Sequence, residues 1–245
     1  MNLTKAIIIA VSIGGRLGEI WKNTPKCLIE IAGKTLLERQ IEILNSSGIQ
    51  SKDILVVIGS QGEVWTGENH EKVRRIHPNI VINNENVDKN QSYSLWLALQ
   101  EIDDSVICVD GDTIFDGVII KTLMGRPEKS ILPFRKAREN DTRRKIVTIG
   151  ERVIKIEKGA DSDKIYTPII KLDRALVKGL KQELGTRKYF NETLEIALNK
   201  ICDKFEINVL ALEPLARPDM PLILNINTPE EYELAQKVFA ERTNI

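Results

Sequence analysis

Histidine and cysteine are scarce in this chain, and neither is arranged as a reaction centre. The two histidines, His70 and His77, both lie in a polar segment. The three cysteines, Cys27, Cys108 and Cys202, are far apart and odd in number. They have no metal-binding or redox spacing and read as small buried hydrophobes in a reducing cytoplasm. Cys27 adjoins Lys26, yet a nucleophilic thiol wants a histidine nearby. An excess of one charge is lacking too. Lys plus Arg number 35 and Asp plus Glu number 35, for a formal net charge of zero. That balance argues against nucleic acid or a membrane surface as the main partner. No apolar run approaches the length of a transmembrane helix. The start, Met1-Asn2-Leu3-Thr4-Lys5 and six apolar residues, lacks the long apolar region and cleavage site of a signal peptide. The expected compartment is the cytoplasm.

What is present suits a full α/β core. The chain has 245 residues, 42% of them apolar, without repeats or low-complexity linkers. The stretch from Ala6 to Leu28 organises the rest. Ala6-Ile7-Ile8-Ile9-Ala10-Val11 is a continuous apolar run, the mark of a strand covered on both faces. It opens into Ser12-Ile13-Gly14-Gly15-Arg16-Leu17-Gly18, followed by Pro25-Lys26-Cys27-Leu28. Glycines let a backbone approach an anion and present N–H groups, and Arg16 and Lys26 supply positive charge. The alternative is an ordinary strand and loop with two surface cations. The loop lacks the Gly-Lys-Ser/Thr of a Walker loop and is too compressed for a dinucleotide fingerprint.

Further along, Leu36 to Leu44 has helical spacing and stops at Gly48. Ile54–Ile58 is a second apolar strand and Ile80–Ile82 a third. Tyr93 to Leu99 reads as a helix, Ser105–Val109 as a strand, Phe115 to Met124 as a helix and Ser130–Phe134 as a strand. Lys145–Ile149 and Arg152–Ile156 flank Gly150-Glu151, a hairpin signal. Tyr166–Leu172 is a strand that Pro168 puts at an edge or a strand start. Helices are expected over 173–184 and 191–202, and a strand over 205–212. Thr228-Pro229-Glu230-Glu231 is a capping box opening the last helix. Asp110-Gly111-Asp112 directly follows a buried strand. It offers hard oxygen ligands to Mg²⁺, or else is a solvated turn.

The opening segment resembles that of nucleotidyltransferases with a glycosyltransferase-A-like fold, whose pattern is roughly L-A-A-G-x-G-x-R-L followed by P-K-x-L. Gly14, Arg16, Leu17, Pro25 and Lys26 match; Val11 and Ser12 depart. Asn90-Gln91-Ser92-Tyr93-Ser94-Leu95 is similar to a run in small-molecule cytidylyltransferases of the phosphocholine type. The resemblance extends in family order from Ala6 to about Ala235. It implies a three-layer α/β/α sandwich with a mostly parallel central sheet and a small antiparallel lobe. One nucleotidyltransferase domain would span 1–245, with a nucleotide-binding part over 1–134 and an acceptor-binding lobe over 135–224.

The resemblance also implies roles. Ala10, Ser12, Gly14, Gly15 and Asp110 would line the nucleotide, and Asn90 and Ser94 would lie against its base; an ordinary helix cap by Asn90 or Ser92 is the alternative for that run. Arg16 and Lys26 would hold the leaving pyrophosphate. Asp112 would hold Mg²⁺. Ile154-Lys155-Ile156-Glu157-Lys158 is similar to a strand whose lysine, here Lys158, reaches the second substrate. Arg135, Lys136, Arg138, Arg143 and Arg144 are candidates to steer an anion, or are simply solvated. The family's second metal aspartate is Asn227 in this chain, a neutral ligand, which leaves Asp219 as a substitute acid. The implied reaction joins CTP to a phosphorylated or phosphonylated small molecule and releases pyrophosphate. The alternatives are a sugar-1-phosphate nucleotidyltransferase using UTP, dTTP or GTP, and a nucleotide-binding regulator with little activity. Phosphocholine, inositol phosphate, a phosphonate and a phosphoramidate stay open as acceptors, as does a homodimer.

Overall fold

The computed structural model describes residues 4–13, 17, 21–86, 90–126, 129–139, 141–215 and 222–243, the last three by backbone alone. Strand β1 (Lys5–Ile9) leads to a single 3-10 turn at Lys26–Leu28 and a small hairpin, β2 (Glu30–Ile31) and β3 (Lys34–Thr35). Then come α1 (Leu36–Ser46), β4 (Ile54–Gly59), α2 (Gly67–Ile76), β5 (Ile80–Asn83), α3 (Gln91–Gln100) and β6 (Val106–Asp110). β7 (Thr113–Phe115), α4 (Gly117–Met124), β8 (Ser130–Lys136), β9 (Lys145–Ile149), β10 (Arg152–Glu157), β11 (Lys164–Tyr166) and β12 (Ile169–Leu172) follow. The chain ends with α5 (Arg174–Gly185), α6 (Leu194–Ile201), β13 (Ile207–Ala211), β14 (Ile223–Asn225) and α7 (Pro229–Thr243).

Ten strands form one sheet in the order β11-β9-β10-β13-β8-β12-β6-β1-β4-β5. The parallel part is β5-β4-β1-β6, built by right-sized strand–helix–strand units. β12 runs antiparallel between β6 and β8, and β13 is parallel to β8. β11 also pairs with the far half of β8, so β8, β13, β10, β9 and β11 close into a ring. The small antiparallel lobe is therefore continuous with the main sheet. Successive β1 side chains face opposite ways. Ile7 and Ile9 join a cluster with α3, α5 and α6, whereas Ala6 and Ile8 join one with α1, α2 and α4. Burial on both faces explains why the strand reads as an unbroken apolar run.

Two sequence expectations need correction. Phe115 does not start a helix. It ends β7, paired with Ile223, and α4 begins after Asp116, whose carboxylate accepts from the Val118 N–H at 2.8 Å. The 166–172 run is two strands broken at Thr167-Pro168; Pro168 stands just before the start of β12, in keeping with the strand-start alternative, and β12 is interior rather than at an edge. Pro168 is tolerated because the break needs no N–H there; its carbonyl instead accepts from the Asp110 N–H at 3.1 Å. The expected capping box is present: Thr228 Oγ1 accepts from the Glu231 N–H at 3.3 Å, and Glu231 Oε2 accepts from the Thr228 N–H at 3.2 Å.

A third apolar cluster does the most to position the site. Leu17, Ile29, Ile31, Leu36, Ile114, Ile226, Ala235 and Phe239 pack together. They tie the segment after Lys26, the β7–β14 ladder and α7 into one body.

Candidate active site

The strand ends of β1 and β6 meet almost without clearance. The Gly111 N–H donates to the Ile9 carbonyl at 2.9 Å. A Cβ on Gly111 would lie 2.7 Å from Ala10 Cα and 3.0 Å from the Ile9 carbonyl oxygen. Glycine is thus required in Asp110-Gly111-Asp112 by the proximity of β1, in addition to any turn preference. Gln40, wholly buried on α1, donates through Nε2 to the carbonyls of Asp110 at 2.7 Å and Thr113 at 2.6 Å. One amide therefore clamps both ends of the acidic turn. The signal was legible: Gln40 is a polar residue inside the apolar stripe Leu36, Leu37, Ile41, Leu44.

Lys26 reaches this turn from the other side. Its N–H donates to the Ser12 carbonyl at 3.0 Å, and Ile13 bridges Pro25, closing the base of the intervening loop. The antiparallel register of β14 on β7 pairs Asn225 with Thr113, and the Ile226 N–H donates to the Asp112 carbonyl at 2.8 Å. Asn227 is thereby delivered beside Asp112. The Lys26 ammonium donates to Asp112 Oδ2 at 3.0 Å and to Asn227 Oδ1 at 2.6 Å, although the chain separations are 86 and 201 residues. Lys26 is only 1% exposed, so the pair is screened from water.

The electrostatics favour cations. Burial raises the Asp110 carboxyl well above the ordinary range, and the charges of Asp112 and Glu195 raise it further. A hydrogen bond from Gln91 Nε2 to Asp110 Oδ1 and the Lys26 charge oppose that rise. The ammonium between Asp112 and Asn227 marks a position where two oxygens already hold a positive charge, so these residues fit a divalent cation. Among the described residues no group of three or more His, Cys, Asp or Glu could hold a metal alone. Phosphate oxygens and water would have to complete a Mg²⁺ shell.

The other predicted residues fall into three groups. Ala10 and Ser12 lie at the end of β1, where Ala10 packs on Gly111. Gly14, Gly15, Arg16 and Asp219 lie outside the described residues. Asn90 caps α3, its side chain accepting from the Gln91 N–H at 2.7 Å. Ser94 is wholly buried, and its hydroxyl accepts from Asn83 Nδ2 at 2.9 Å. Lys158 is exposed in the turn after β10 and takes no part in the Lys26–Asp112–Asn227 contacts. Of the basic cluster, Arg135 and Arg143 both pair with Asp141, and Arg144 pairs with Glu195. The cysteines are buried, and burial pushes the Cys27 thiol up to about 12. A thiol held that high is not a nucleophile.

Comparison with known proteins agrees with this fold. A choline-phosphate cytidylyltransferase of Streptococcus pneumoniae is 36% identical over 108 residues, 44% of either chain. This chain thus spans less than half the length of that relative. The solved CTP:phosphocholine cytidylyltransferase from Streptococcus pneumoniae superposes with a TM-score of 0.76 at 20% identity, over 97% of this chain and 99% of that one. The inositol-1-phosphate CTP transferase from T. maritima gives 0.75 at 20% identity, over 97% of both. At such identity these two likenesses establish the fold. Residues 6–164, more than half of the chain, match one family model, and by that match the chain belongs to the MobA-like NTP transferase domain family.

Proposed function

We propose that this protein is a cytoplasmic cytidylyltransferase that joins CTP to a small phosphorylated or phosphonylated acceptor. The observation carrying the proposal is the Lys26 ammonium held by Asp112 and Asn227 at the carboxyl ends of β1 and β6, where α/β sheets bind ligands. The names of its relatives, which act on phosphocholine or inositol phosphate with CTP, support the choice of nucleotide.

An oxygen of the acceptor attacks the α-phosphorus, the new P–O bond forming as the bond to pyrophosphate breaks. A phosphomonoester has its second pKa near ~6, so the nucleophile is already ionised and needs no general base. The protein then has to align the reactants and neutralise charge. Lys26 and Arg16 would bind the leaving pyrophosphate, with Ala10, Ser12, Gly14 and Gly15 along the nucleotide. Asp112 and Asn227 would hold Mg²⁺, which when bound offsets charge on the phosphoryl oxygens. Lys158 and the lobe over 135–224 would receive the acceptor.

The test is pyrophosphate release from CTP, UTP, dTTP and GTP, each with a panel of phosphorylated acceptors. CTP should exceed the others by about tenfold or more in kcat/KM. Preference for another nucleotide would sink the cytidylyl reading. Silence with all of them would favour a binding protein on this fold.

A further inference from the structure

The buried positions of α1 are Leu36, Leu37, Ile41 and Leu44, with Gln40 as the one polar side chain among them. Its amide serves the acidic turn alone. Nε2 gives its two donors to the Asp110 and Thr113 carbonyls. Oε1 is buried and has no hydrogen-bond partner among the described residues. An unpaired buried oxygen is costly, and an aliphatic side chain in this stripe would avoid that cost. Holding the two carbonyls, which need donors of their own, is what offsets it.

The other end of α1 is tied to the segment that carries Lys26. The Ile29 N–H donates to the Lys26 carbonyl at 3.1 Å, and the Leu36 N–H to the Ile29 carbonyl at 3.0 Å. Thr35 and Glu38 form a capping box at the helix start, and Arg39 Nε donates to the Ile31 carbonyl at 3.0 Å. So α1 starts on the Lys26 arm, and about one turn later Gln40 grips the acidic turn. Asp112 lies between the two held carbonyls. Its Oδ2 accepts from the Lys26 ammonium at 3.0 Å, and its Oδ1 accepts from the Thr113 hydroxyl at 3.4 Å. Fixing the backbone of Asp110 and Thr113 therefore fixes the direction in which this carboxylate points.

We propose that Gln40 is a positioning residue for the divalent cation: by holding the Asp110 and Thr113 carbonyls it aims the Asp112 carboxylate, and so sets the affinity with which Asp112 and Asn227 bind Mg²⁺. The proposal rests on the cation role given above to Asp112 and Asn227. Gln40 hydrogen-bonds only main chain, so it acts through Asp112 rather than on the reactants.

The experiment measures Mn²⁺ binding by the full-length protein without nucleotide, from the loss of the electron paramagnetic resonance signal of free Mn²⁺. Gln40→Met keeps the length of the side chain and removes both donors. Ser47→Ala is the comparator: it removes the bond from the end of α1 to the Gly117 carbonyl, 3.3 Å long, and leaves the partners of the acidic turn in place. Gln40→Met should raise the Mn²⁺ dissociation constant about tenfold or more, the usual effect of losing a group that orients a metal ligand. Ser47→Ala should stay within about twofold of wild type. An unchanged constant in Gln40→Met overturns the proposal and marks Gln40 as structural. An equal loss in Ser47→Ala overturns it too, as a general loosening of α1. If Gln40→Met does not fold, the wild type decides: bound Mn²⁺ should broaden the NMR signals of the Gln40 side-chain amide, and signals that stay sharp overturn the proposal. Absence of Mn²⁺ binding by the wild type removes the cation role and this proposal with it. None of these readings needs turnover. Weakened Mn²⁺ binding in Gln40→Met, beside failure with every acceptor, supports the role of Gln40 and sinks only the transfer reading.

Discussion

Gly111 sits so close to Ala10, just past the ends of β6 and β1, that a Cβ on it would lie 2.7 Å from Ala10 Cα. That contact sets the height of the acidic turn above the sheet. Gly111→Ala should therefore push the turn away from β1 and cost about 1–3 kcal/mol, as overpacking does. A urea titration reads the stability and a nucleotide-transfer assay reads the displacement. An unchanged midpoint would mean the turn has slack that the close contact denies.

Lys26 is the cation that both Asp112 and Asn227 hold. Lys26→Ala should lower kcat/KM by about 10²–10³-fold, the usual effect of losing one preorganised charge donor. The far-UV circular dichroism should stay that of the wild type, because the third apolar cluster still ties the segment down. A rate within twofold of wild type would remove Lys26 from the site.

Asn227→Asp should tighten divalent-cation binding about tenfold, since the substitution adds a negative ligand without changing shape. Titration calorimetry with Mn²⁺ in the absence of nucleotide measures it directly. Equal affinities would place the cation elsewhere.

Asp110 makes a pH prediction with a definite sign. Its folded-state carboxyl is raised well above the ordinary value by burial and by the Asp112 and Glu195 charges. The folded protein thus binds that proton more tightly than the unfolded chain does. The contribution is complete below the ordinary carboxylate pKa and is lost as pH rises through the raised value. Asp110→Asn removes this loss. Its stability relative to wild type should improve between about pH 4.5 and about pH 8, by urea unfolding at both. A difference that stays flat, or moves the other way, would contradict the assignment.

Much of the frame was legible in local pattern. The unbroken Ala6–Val11 run announced a strand covered on both faces, and burial against helices on either side bears it out. Gly150 marked the β9–β10 hairpin and adopts a φ of +59° there. Thr228 and Glu231 announced the α7 cap. Boundaries failed where partners distant in sequence decide them. β7 exists because β14, about a hundred residues later, pairs with it. Nor does local pattern show that Arg135 and Arg143 converge on one carboxylate, Asp141. That Ser94 meets Asn83, at the end of another strand, is likewise a contact that no local pattern contains.

By itself the sequence determined which side chains carry charge, which runs are apolar and where turns cap helices, because these depend on near neighbours. Tertiary structure alone decided that Lys26, Asp112 and Asn227 share one cation position and that Glu195 stands near Asp110. Those meetings depend on strand order and on the β7–β14 register. Strand order and register minimise free energy over the whole chain, and no short window of residues contains that information.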